Sequence, residues 1–186
     1  HYEIVPDIPE RWKEAHRRGL AGETLHADED RFKRADGTVQ CIRWEVIPWW
    51  TAEGAVGGII LFAEDITRQM ETEQRLRLAG SVFTNAREGI IITDPDGAIL
   101  EVNEMFTRIT GYTRAEVLGQ NPRFLKSGLQ NEEFYATMWR SLVKDGHWSG
   151  EIWNRTKSGD VIAEMLTINA LRDAGGNLLQ YVSLFS

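Results

Sequence analysis

Gly37 and Gly159, Val39 and Val161, and Gly54 and Gly176 stand in the same order at one spacing, 122 residues, so the chain repeats itself. That repeat constrains the fold because both copies must build the same unit. In the later copy, the stretch from Trp148 to Ser186 reads as three antiparallel strands. The first runs from about Ser149 to Lys157, with Ile152 alternating against Glu151 and Trp153; the others are Val161 to Leu171 and Leu178 to Ser186. Ser158 and Gly159 turn the chain between the first two, since glycine takes positive φ without steric cost. In the earlier copy a strand from Glu29 to Arg34 meets a turn at Asp36 and Gly37. Strands then follow at Val39 to Thr51 and Val56 to Ala63, with Pro48 marking an edge position or a bulge. A helix precedes each set, at Pro9 to Ala21 and at Asn131 to Val143. Three strands with bulky residues on one face make a concave wall, and side chains or a ligand must fill it.

The later copy carries more. GIIITDPDGAILEVN reads as a hairpin with Pro95, Asp96 and Gly97 at its tip, and short helical pieces stopped by Gly111, Gly119 and Gly128 follow. The earlier copy has no counterpart, and a closed domain there needs roughly 45 more residues before His1. The expected boundaries are therefore 1–65 for the later half of a first domain, 66–80 for a linker helix and 81–186 for a near-complete second domain. The linker lacks proline and places glutamates to pair with arginines. Its apolar stripe of Ile66, Met70, Leu76 and Ala79 is sparse, which predicts a helix mostly exposed in one chain. It reads either as a solvated linker or as one strand of a parallel coiled coil.

Charge and composition exclude several functions. A net charge of −7 over 186 residues argues against a general nucleic-acid surface. No apolar run approaches the roughly 20 residues that span a bilayer, and the opening HYEIVPDIPERW reads as free of a secretory signal. The single cysteine, Cys41, excludes an internal disulfide and suits a cytoplasmic protein. His1, His16, His26 and His147 show no metal-ligand spacing. No nucleophile–histidine–acid order, phosphate-cradling loop or paired catalytic carboxylate stands out, so the chain is read as not itself an enzyme.

Taken together, these stretches resemble a tandem of PAS sensor domains. The resemblance rests on GIIITDPDGAILEVNEMF, TGYTRAEVLGQNP, NRTKSG and YVSLFS in the second copy, and on the exit Glu64-Asp65-Ile66-Thr67 of the first. It implies an α+β fold: a five-stranded antiparallel sheet with short helices over one face and a small-molecule pocket between them. It also implies a place in a larger bacterial signalling protein, typically a histidine kinase or diguanylate cyclase; a homodimer through the linker helix or the sheet face is expected from the linker's stripe and the strands.

Within that family the second copy resembles flavin-binding members. GQNPRFLKSG is similar to the light-oxygen-voltage signature, but the position of the photoreactive cysteine holds Pro122, which has no thiol for a flavin adduct. WSGEIWNRTKSGDVIAEMLT is similar to the flavin adenine dinucleotide (FAD) PAS domains of nitrogen-fixation and methane-oxidation regulators. The resemblance therefore implies FAD as cofactor and four candidate residues. Asn154 offers a donor and an acceptor to a ring edge, and Glu164 offers an acceptor to a ring N–H. Arg123 suits a phosphate, and Trp148 suits stacking on the ring or walling it off. Where a third-strand glutamine would meet the flavin, this chain has Phe185. A two-residue turn puts Ala163 opposite Asn154 and sends Glu164 to the far face. A looser turn, with Thr156 opposite Ile162, sets Asn154 across from Glu164, and the resemblance favours it. The alternative function is a ligand-free interaction module whose own side chains fill the pocket.

Overall fold

A computed structural model describes residues 8–34 and 36–186; residues 1–7, which open the stretch read as free of a signal, lie outside the described residues. The chain divides into two compact units, the first ending at Arg77 and the second running Leu78–Ser186.

The first unit carries α1 (Glu10–Leu20), β1 (Leu25–Lys33), β2 (Val39–Trp50) and β3 (Val56–Asp65), the strands forming an antiparallel sheet in the order β1-β2-β3. β1 begins four residues before the sequence suggests, with a register break between Ala27 and Asp30 that polar residues conceal. α1 lies against the sheet at Gly19, where a Cβ would come within 2.4 Å of Val46 Cγ1. Helix α2 (Thr67–Asn85) follows, with no residue buried.

The second unit is built from β4 (Gly89–Thr93), β5 (Ile99–Val102), α3 (Glu104–Thr110), α4 (Arg114–Val117), a 3-10 turn (Pro122–Leu125), α5 (Glu132–Asp145), β6 (His147–Arg155), β7 (Val161–Arg172) and β8 (Leu178–Phe185). Its five strands form an antiparallel sheet in the order β5-β4-β8-β7-β6. This is the α+β architecture expected. Asn103 starts α3 by accepting from Phe106 N–H at 2.9 Å, and Gly111 ends it in the left-handed conformation. The same asparagine accepts from Ile90 N–H and donates to the carbonyls of Phe83 and Glu88, tying the end of α2 to the sheet. Phe106, Leu142, Ile99 and Val117 are fully buried between the helices and the inner sheet face.

The β6–β7 hairpin differs from both expected registers. Thr156 N–H donates to Asp160 O at 2.9 Å around a three-residue loop, Lys157–Gly159, with Gly159 at φ 97°. Asn154 therefore pairs with Ile162, and Glu164 with Ile152. Neither Ala163 nor Glu164 is directly opposite Asn154. The loop length is intermediate, and it keeps Asn154 and Glu164 on one face, diagonally adjacent across the ladder.

Candidate functional site

The inner face of the second sheet is formed by alternate residues of each strand. β6 contributes Ile152 and Asn154, β7 Leu166 and Ile168, and β8 Tyr181, Ser183 and Phe185. Between this wall and the helices lies a cavity of about 350 Å³, at the small end of ligand sites, which run from roughly 300 to 1,000 Å³. α5 closes one side with Tyr135, Met138 and Trp139, and the 3-10 turn closes another with Pro122, Arg123 and Leu125.

Asn154 is the buried polar side chain that β6 brings to this wall. Its position is set by backbone pairing with Lys126 and by the Ser127 N–H, which donates to Trp153 O. Arg155 reinforces the same seam by donating to Ser127 O at 3.1 Å. Behind Asn154 sits Glu164, only 3% exposed, accepting from Asn154 Nδ2 at Oε2 over 2.8 Å. Its other oxygen, Oε1, is buried with no hydrogen-bond partner among the described residues. Burial pushes the Glu164 carboxyl above its ordinary range, and the Asn154 hydrogen bond opposes that shift. The structure thus joins these two residues as a pair, but only Asn154 forms part of the cavity wall.

Arg123 lines the rim, exposed, and among the described residues its guanidinium makes no ion pair. Its neighbour Lys126 also lines the rim and holds its ammonium 3.7 Å above the Tyr135 ring. Trp148 does not join Arg123 and Asn154 at the cavity. It shares the inner face but stands further along β6, outside the cavity wall, with its ring edge-on to Phe134 at 5.7 Å. Gly150 leaves room for that indole, since a Cβ there would lie 2.8 Å from Trp148 Cζ2.

Sequence reasoning missed Tyr135, Tyr181 and Ser183. The last two were visible in principle, because period-2 alternation through YVSLF puts them on the face of Phe185. Tyr135 has no such signal, since a short amphipathic helix does not reveal which of two adjacent aromatics faces a cavity. Among the described residues no cluster of histidine, cysteine and carboxylates can hold a metal.

A family model described as PAS domain matches residues 87–186, and one described as PAS fold matches residues 1–71. The chain belongs to the PAS domain family. Among its PAS relatives is a nitrogen fixation regulatory protein of Klebsiella oxytoca, 31% identical over 113 residues, which cover 61% of this chain and 23% of that protein. Another is a blue-light-activated histidine kinase of Rhizobium johnstonii, 31% identical over 110 residues, covering 58% of this chain and 32% of that one. A solved structure titled for a flavin analogue and the mechanism of a light-oxygen-voltage domain superposes with TM-score 0.51 and 29% identity, covering 59% of this chain and 83% of that one. The chain therefore spans a quarter to a third of the length of these curated relatives. It is a PAS sensory region of the kind found in regulators, kinases and light-oxygen-voltage receptors. No helix among the described residues is long and apolar enough to cross a membrane.

Proposed function

We propose that the second PAS unit binds a flavin, FAD, and reports redox state. The observation that carries this reading is the Asn154–Glu164 pair at a largely apolar cavity, with Glu164 Oε1 buried and unpartnered. A flavin ring has flat apolar faces and one polar edge carrying two carbonyls and an imide N–H. Ile152, Leu166, Ile168 and Met138 suit the faces, and Asn154 with Glu164 suits the edge. Arg123 and Lys126 at the rim suit the phosphates of the tail. Once bound, the flavin would supply reversible reduction with uptake of protons, while these residues hold and orient it. Pro122 lines the cavity without a thiol, which favours redox over adduct-based light sensing.

In this reading the chain catalyses no reaction itself. It is the cytoplasmic sensor region of a bacterial signalling protein, passing its state through α2 to a histidine kinase or diguanylate cyclase module. Pairing of two chains would use α2, where Leu76, Leu78 and Val82 are exposed, or the outer sheet face, where Trp153 and Met165 are exposed. The same exposed sheet face is what favours the alternative, a ligand-free interaction module. Denaturing the purified protein and identifying any released chromophore by mass separates the two: FAD supports the redox sensor, and its absence supports the interaction module.

A further inference from the structure

Asn154 has two ends, and Glu164 decides which of them faces the cavity. An asparagine amide reverses its hydrogen-bonding character when it flips, because Oδ1 only accepts and Nδ2 only donates. Here Nδ2 is committed to Glu164 Oε2 at 2.8 Å, while Oδ1 takes no hydrogen bond from any described residue. Asn154 lines the cavity; Glu164 does not. We infer that Glu164 is a positioning residue that turns the Asn154 carbonyl oxygen toward the cavity, so that the site selects a ring edge bearing an N–H donor. This deepens the flavin reading and rests on it.

A second observation points the same way. Glu164 Oε1 is buried and unpartnered, so among the described residues the carboxylate takes its one hydrogen bond from Asn154. Protonation changes that bond. A protonated Glu164 donates to Oδ1, and the amide then presents Nδ2 to the cavity. Few charges compete with this exchange. The inner-face residues flanking Glu164, namely Ile152, Ile162 and Leu166, carry none. The cavity's charged groups are Asp96, Arg123 and Lys126, and Lys157 near the hairpin tip is paired with Glu116 of α4. Burial holds the Glu164 proton to higher pH than an ordinary glutamate does, so the exchange begins above the usual carboxylate range.

The test uses flavin-free protein, titrated with lumiflavin and with 3-methyllumiflavin, which carry N–H and N–CH3 at the imide position; the methyl's bulk does not change with pH, so the pH dependence of the preference reads the hydrogen bond. At pH 8 the unaltered protein should prefer lumiflavin by about tenfold, the value of one good hydrogen bond. The preference should fade as pH is lowered toward 5, and Glu164→Gln should weaken it at every pH, since a glutamine amide can donate to Oδ1 as well as accept from Nδ2 and so no longer fixes the flip. The pH series on unaltered protein carries the test should Glu164→Gln fail to fold. A preference undiminished in Glu164→Gln, or one that ignores pH, overturns the inference. Equal binding of both flavins by unaltered protein overturns it while leaving the flavin site standing. Binding of neither overturns the flavin reading and this inference with it.

Discussion

The Phe185 ring lies over the Cα of Gly89, its β4 partner, so closely that a Cβ on Gly89 would come within 2.3 Å of Phe185 Cζ. Phe106 meets the same ring edge-on at 6.1 Å, and Phe185 is 3% exposed. The third-strand position that meets flavin through glutamine in the resembling domains is thus a packing position here. In the proposed flavin site, ring-edge recognition would fall to Asn154 of β6, held by Glu164 of β7.

Gly89→Ala should destabilise the second unit by about 1–3 kcal/mol, because a Cβ there would overlap the Phe185 ring, which packs edge-on against Phe106. Urea unfolding followed by tryptophan fluorescence measures this. A neutral result would mean that the ring swings aside.

Asn103→Ala should cost more, about 2–4 kcal/mol. It removes the α3 cap and leaves Ile90 N–H and the carbonyls of Phe83 and Glu88 without their side-chain partner. Hydrogen exchange should quicken around residues 83–90, where α2 joins the sheet. Unchanged exchange there would show that Asn103 is not the tie between them.

The Lys157 ammonium, with the Thr113 N–H and hydroxyl, holds the Glu116 carboxyl down to about 2. A depressed carboxyl stabilises the fold above its unfolded value of about 4.5 and loses that contribution as pH falls toward 2. The pair is exposed, so the effect should shrink in high salt. In Lys157→Met, NMR titration should find the Glu116 carboxyl moved up toward its ordinary value. An unmoved titration would assign the shift to Thr113 alone.

The three strands that close each copy, the internal hairpin and the exposed α2 were legible because they rest on alternation, turn glycines and a sparse apolar stripe. The β6–β7 register was not. Ser158 and Gly159 mark a turn but do not say whether two or three residues close it, and one residue more or less sends Glu164 to the other face. Trp148 has the right parity for the inner face, yet parity does not locate the cavity along a strand; Phe134 and Gly150 place that indole away from it. Arg123 was named as a phosphate partner only through the resemblance, and its place at the rim was not legible, since no local pattern marks a 3-10 turn as the edge of a pocket.

Pairing through α2 predicts that Leu76→Asp shifts the chain from dimer to monomer in sedimentation velocity without altering its circular dichroism. Leu76 is 70% exposed within one chain, so the substitution disturbs no core. A dimer that persists would move the interface to the outer sheet face, around Trp153 and Met165.

Absorption spectra of the purified protein and of Asn154→Ala, taken at equal concentration, test the central claim most directly. The unaltered protein should show flavin bands near roughly 370 and 450 nm. Flavin bound at the one site proposed here should give about one equivalent per chain. Asn154→Ala, which removes one polar side chain from the cavity wall but little volume, should retain several-fold less flavin with its fold intact. A colourless unaltered protein, or equal flavin content in the two, would contradict the account.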